Sequence, residues 1–149
     1  MESISDVMSR DHKKIEDILS EFKNNIGGQE ELQSFNNFRW ELEGHLFLEE
    51  RAIFTFLRSK KSRLYEDIPK IEEEHDRLLD LLNKIGEDLK NQKNADAMEN
   101  QKELEALLIK HKEFEDTVLY PKLDESLNEE QKGIVIKRIE RFSSEKVTA

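Results

Sequence analysis

The sequence predicts an all-α protein, an up-down-up-down four-helix bundle with a short fifth helix at the C-terminus. Three observations predict it. Apolar residues recur at steps of three and four along four long segments. Two prolines and five glycines in 149 residues leave few interruptions. The interruptions that exist are short, and short connections between long helices favour antiparallel neighbours.

The first helix starts at Ser3, where Asp6 three residues later forms a capping-box pair. It runs to about Ile26. Gly27 and Gly28 end it, because glycine accepts the left-handed conformation past a helix C-terminus. Its inward stripe is Met8, His12, Ile15, Leu19, Phe22 and Ile26. The second helix is expected from about Gln29 to about Ser59, with Phe38, Leu42, His45, Glu49, Ala52 and Phe56 on its stripe. A polar connection over residues 60–67 follows, and its short basic run of Lys60, Lys61 and Arg63 is read as carrying no function. Pro69 fits the first turn of the third helix, where its missing N–H costs nothing. That helix carries Ile71, His75, Leu78, Leu82 and Ile85 and ends near Lys90. Asn94 or Asp96 is expected to cap the fourth helix, whose stripe is Leu104, Leu107, His111, Phe114 and Val118. Pro121 is expected to stop it at about Tyr120. Asn128 with Gln131 starts the fifth, which carries Val135, Ile139 and Phe142; the tail from Ser143 is expected to fray. The whole chain, 1–149, reads as one domain, with the bundle over about 4–123 and the last helix over about 128–144.

Composition narrows the functions. Lysine and arginine number 24 against 34 acidic residues, a net charge of −10 with histidine neutral. That argues against nucleic acid and anionic membrane surfaces, which need basic patches. There is no cysteine. Disulfides, thiolate zinc sites, iron–sulfur ligation and cysteine nucleophiles are therefore excluded. A polar N-terminus and the lack of any long apolar run make a cytoplasmic protein the expectation.

The four histidines each sit on a stripe, one per helix, where leucine is the ordinary occupant. Glu49 and Glu115 follow two of them by four residues. The chain also repeats itself. DHKKIEDIL around His12 resembles EHDRLLDLL around His75, and HLFLEERAIFTFL from His45 resembles HKEFEDTVLYPKL from His111. Two helical hairpins related by a pseudo-twofold axis follow, each giving His, then His-x-x-x-Glu. The alignment pairs Tyr120 with Phe54, so Tyr120 is expected to pack.

Within each hairpin the histidines also come level, while the join between hairpins, ten residues against seven, leaves ~5 Å for a partly extended connection to absorb. Fourteen residues from His12 to Ile26 and sixteen from Gln29 to His45 are climbs of ~21 and ~24 Å. In the second hairpin both climbs are sixteen residues, ~24 Å. Imidazole and carboxylate suit iron, manganese or zinc, and residues four apart share a helix face, so each His-x-x-x-Glu can reach one centre. Six such ligands exceed the need of one tetrahedral zinc. They suit two metals, with two histidines each, two shared carboxylates and a solvent-derived oxygen between them. His12-x-x-x-Glu16 has the same spacing, but Glu16 lies at a stripe edge, and the run Glu72, Glu73, Glu74 reads as a solvated face.

His12, His45-x-x-x-Glu49, His75 and His111-x-x-x-Glu115 on four successive helices resemble the hemerythrin-like HHE cation-binding family over roughly residues 5–123. The resemblance implies two iron ions with a bridging oxo or hydroxo, held by His12 and His45 on one side and His75 and His111 on the other, with Glu49 and Glu115 bridging. Manganese or zinc is the alternative occupant. Oxygen-carrying members have a fifth histidine on the third helix, where this chain has Ile71 and Leu79, and they bridge with an aspartate that Asp116 would match. Glu115 is preferred because the repeat aligns it with Glu49. The chain looks more like the family's iron–sulfur repair proteins and its iron- or oxygen-sensing domains. The expected function is a non-haem di-iron protein engaging O2, NO or peroxide in sensing, iron handling or stress response. A di-iron enzyme reducing peroxide or NO, or acting like a catalase, and a metal-free helical interaction module are the other readings.

Overall fold

A computed structural model of the chain describes the backbone of residues 2–60 and 66–148, with side chains for 2–59 and 66–142. Five helices make up these residues. Helix α1 is Ile4–Asn25. Helix α2 spans 31–60, with an α-helical part Glu31–Leu48, a π-helical part Glu49–Phe54 and a final α-helical part Thr55–Lys60. Helix α3 is Ile68–Lys90. Helix α4 spans 94–126 and repeats the pattern of α2: Asn94–Phe114, then a π-helical Glu115–Leu119, then Tyr120–Ser126. Helix α5 is Glu129–Thr148. No helix among the described residues is long and apolar enough to cross a membrane. Lys61 and Arg63 of the basic run lie outside the described residues, as do the side chains of Lys60 and of the tail from Ser143.

The ends of α1 follow from its sequence. The Asp6 amide donates to Ser3 Oγ at 3.0 Å and the Ser3 amide donates back to Asp6 Oδ2 at 3.4 Å. Asp124, from the end of α4, accepts two more first-turn amides, Ile4 at 2.8 Å and Ser5 at 3.0 Å. The amides that a helix leaves unpaired are thus met by two carboxylates, which the positive end of the helix dipole also favours. At the other end Gly27 takes φ +89°, a conformation open to glycine. Asn128 and Gln131 cap α5 reciprocally, at 2.8 and 3.0 Å.

Three expectations are corrected. Lys93, not Asn94 or Asp96, holds the cap position of α4, without a side-chain bond. The reason is a tight turn: Gln92 adopts φ 59°, and the amides of Gln92 and Lys93 donate to Leu89 O and Asp88 O. This closure is a Schellman motif, and it starts α4 with no residue to spare for a capping side chain. The fourth helix does not stop at Tyr120. The π-helical turn ahead of Pro121 resets the hydrogen-bond register, so the proline falls in the first turn of a new α-helical part, where it lacks only a donor the helix does not need. The last helix is also longer than 128–144, reaching Thr148.

Helices α1 and α2 pack as one hairpin and α3 and α4 as another, with α2 touching α3 and the end of α4 returning to α1. Helix α5 lies on α1 and on the π-helical part of α2. The core is divided. One apolar cluster includes Met8, Leu48, Phe54, Ile71, Leu119 and Val135; the other includes Ile15, Phe22, Phe38, Leu42, Leu78 and Leu104. His12 falls between Met8 and Ile15, His45 between Leu42 and Leu48, and His75 between Ile71 and Leu78. The histidines therefore form a polar layer between two dry ones.

Candidate metal centre

The polar layer contains His12, His45, Glu49, His75, His111 and Glu115, all buried, with the two glutamates fully so. Their inner atoms converge. His45 Nε2 lies 2.9 Å from Glu49 Oε1, and His75 and His111 approach the same oxygen at 3.5 and 3.9 Å. Glu115 Oε1 lies 3.2 Å from His12 Nε2 and 4.0 Å from His45, while its Oε2 lies 3.3 Å from His111. The rings pair across each hairpin, His12 with His45 at 4.8 Å and His75 with His111 at 5.0 Å between centroids. One ligand atom each from Glu49, His75, His111 and Glu115 lie within 4.8 Å of one another, and so do those of His12, His45 and Glu115. Glu115 belongs to both groups.

Five of these inner atoms make no hydrogen bond: Glu49 Oε1, His75 Nε2, His111 Nε2 and both oxygens of Glu115. The contacts are close but do not have hydrogen-bond geometry. A buried carboxylate without partners costs several kcal/mol or takes up a proton. Cations remove that cost, and an imidazole–carboxylate donor set without thiolate is the set iron, manganese or zinc accepts. The residues present fit such ions.

The outer nitrogens are held by a second ring of carboxylates. His45 Nδ1 meets Asp11, and His111 Nδ1 lies 3.5 Å from Glu74, both within a hairpin. His12 Nδ1 lies 3.0 Å from Asp116, and His75 Nδ1 3.1 Å from Glu50, both between hairpins. Every imidazole thus turns Nε2 inward and Nδ1 to an acid, the arrangement that fixes ring orientation and raises ligand basicity in metal sites. These four acids neighbour the inner residues in sequence: Asp11–His12, Glu74–His75, Glu49–Glu50 and Glu115–Asp116. The internal repeat contained the signal, since each pair recurs in the other hairpin. Glu74 is therefore not merely part of a solvated face. Asp116, the competitor for the bridging place, is partly exposed and faces the outer nitrogen of His12, whereas Glu115 is central.

Tyr120 is also more than packing. Its ring lies 5.7 Å from His12, but its hydroxyl donates to Glu49 Oε2 at 3.0 Å. Burial, and then the Glu49 charge, push its ionisation well above the ordinary tyrosine range, so it keeps its proton and donates. Its counterpart Phe54 stacks on His75 at 5.8 Å. Both rings reach the layer because each stands five residues after a glutamate that opens a π-helical turn. Such a turn holds an extra residue, so position i+5 returns to the face that i occupies.

Charges in the metal-free layer are unevenly shared. Burial lowers His12 to about 4, with His45 adding to the effect. Burial also opposes the charge on His45, but Glu49 and Asp11 outweigh it and raise it to about 9. Glu49 and Glu50 do the same for His75, to about 9. Glu49 is held well below its usual range, against its burial, by His45, His111 and His75. Glu16 is half exposed at the surface, paired with Lys112, and stands outside the layer.

The profile of the hemerythrin HHE cation binding domain matches residues 3–123 and, again, residues 66–141. No curated protein and no solved structure gives a match.

Proposed function

The chain belongs to the hemerythrin HHE cation-binding family, and from that premise we propose that it is a non-haem di-iron protein engaging O2, NO or peroxide in sensing, iron handling or stress response. His12 and His45 would hold one ion and His75 and His111 the other, with Glu49 and Glu115 shared. Two such ions, when bound, would supply one-electron redox chemistry toward a small oxidising ligand. The protein's own part is to hold the neutral imidazoles in place through Asp11, Glu50, Glu74 and Asp116, and to keep water out with the apolar layers above and below. Tyr120 fixes one oxygen of Glu49.

The carrying observation is the set of five buried polar atoms without hydrogen bonds, all pointing to one place. A metal-free interaction module gives those atoms no partners; a pair of cations does. Elemental analysis of the purified protein is the test, with about two iron ions per chain expected by two-metal, six-ligand stoichiometry. His45→Ala and His111→Ala are each expected to empty at least one position. Full occupancy in either variant refutes the assignment.

A further inference from the structure

The two shared carboxylates stand in unlike surroundings. Glu49 Oε2 accepts the Tyr120 hydroxyl, whereas neither oxygen of Glu115 has a hydrogen-bond partner. The repeat puts Phe54 where Tyr120 stands in the other half, and phenylalanine offers Glu115 nothing. A cavity of about 20 Å³, room for about one water molecule, reaches the layer on this same side, between α1 and α4. Ile15 and Leu108 line it together with His12, His45, His111 and Glu115 of the layer. Neither Glu49 nor His75 lines it. At its rim Lys112 of α4 and Glu16 of α1 form an ion pair, with side chains 29% and 49% exposed.

We propose that small anions reach the centre between α1 and α4, on the Glu115 side, through a mouth set by the Lys112–Glu16 ion pair. The proposal rests on the metal-binding reading above. Ile15 and Leu108 line the cavity without offering a polar group to detain a ligand. With the imidazoles neutral as ligands, Lys112 is the one cationic side chain among the residues lining the cavity, in a chain whose net charge is −10. An arriving anion must compete with Glu16 for it. The two residues therefore act in opposite senses: Lys112 draws the anion in, and Glu16 restrains entry by occupying Lys112. A neutral ligand feels neither charge.

Azide and nitric oxide separate these effects in stopped-flow absorbance measurements on the iron-loaded full chain. Glu16→Gln is expected to speed azide association by about threefold and Lys112→Gln to slow it by about threefold, the scale of one screened charge at the mouth. Nitric oxide association should stay within about twofold in both variants, since no charge is involved. Both substitutions are on partly exposed side chains, and circular dichroism of the metal-free variants checks that the fold is kept. Shifts of the same sign in the two variants overturn the proposal, as do unchanged azide rates. So does an equal effect from Lys70→Gln, which lies in the separate cleft between α3 and α4. Iron-loaded parent protein that binds no azide overturns the route while leaving the metal reading intact. A parent that takes up no metal removes both, and elemental analysis tells the two failures apart.

Discussion

Replacing Tyr120 by phenylalanine removes one oxygen from the site and keeps the ring that stands beside His12. That oxygen donates to Glu49 Oε2 at 3.0 Å, and both residues are fully buried. The other oxygen of Glu49 has charge contacts but no hydrogen bond. Without the tyrosine, a buried acceptor is left unsatisfied, which costs about 1–3 kcal/mol. In a domain near this size each kcal/mol shifts the melting temperature by about 2–4 °C, so the metal-free Tyr120→Phe protein should melt about 2–12 °C lower. Bound cations satisfy Glu49 themselves, and the loss should shrink to less than about 1 kcal/mol in the loaded protein. Thermal melts followed by circular dichroism, with and without metal, measure both. A metal-free variant that melts with its parent, or an equal loss in both forms, would refute the reasoning, because either result means the hydroxyl does not support that carboxylate.

The metal-free protein should be most stable near neutrality. His12, lowered to about 4, contributes stability above its ordinary 6.5 that is lost as pH falls toward 4. His45 and His75, raised to about 9, contribute stability below 6.5 that is lost as pH rises through 9. Melting temperatures of metal-free protein between pH 4 and 10 should therefore fall on both sides, and metal should flatten the alkaline limb by making the imidazoles neutral ligands; a monotonic profile contradicts this. In the outer ring, Asp11→Asn and Glu74→Gln should each weaken metal binding by about 10- to 100-fold in competition with a chelator. Glu50→Gln should cost less, since Glu50 is 41% exposed against 21% for Asp11 and 20% for Glu74; the reverse order would show that burial does not set the strength of these contacts.

The inner layer was legible because a histidine on an apolar stripe breaks a rule that its neighbours keep, and because His45, Glu49, His111 and Glu115 keep the four-residue step of an ordinary helix. Legibility ended at the π-helical turns. Beyond Glu49 and Glu115 a period of 3.6 does not bring position i+5 back to the layer, and the alignment of Tyr120 with Phe54 reads as packing, although both rings touch the histidine layer. No residue type in 49–54 or 115–119 marks such a turn by itself. The outer acids were hidden for another reason. Asp11, Glu50, Glu74 and Asp116 are partly exposed, so one at a time they look like any charged residue on a wet face; only their recurrence beside the inner residues of both hairpins sets them apart. The turn at Lys93 was missed because Gln92, rather than a glycine, takes the left-handed conformation there.

The bond between His12 and Asp116 joins positions 104 residues apart. Loops of that span are the slowest to close as a chain collapses, so the cage is completed only when the first helix meets the last of the four. A nascent or clipped chain can form both hairpins and still lack the full ring of six inner residues, so completion of that layer marks finished folding.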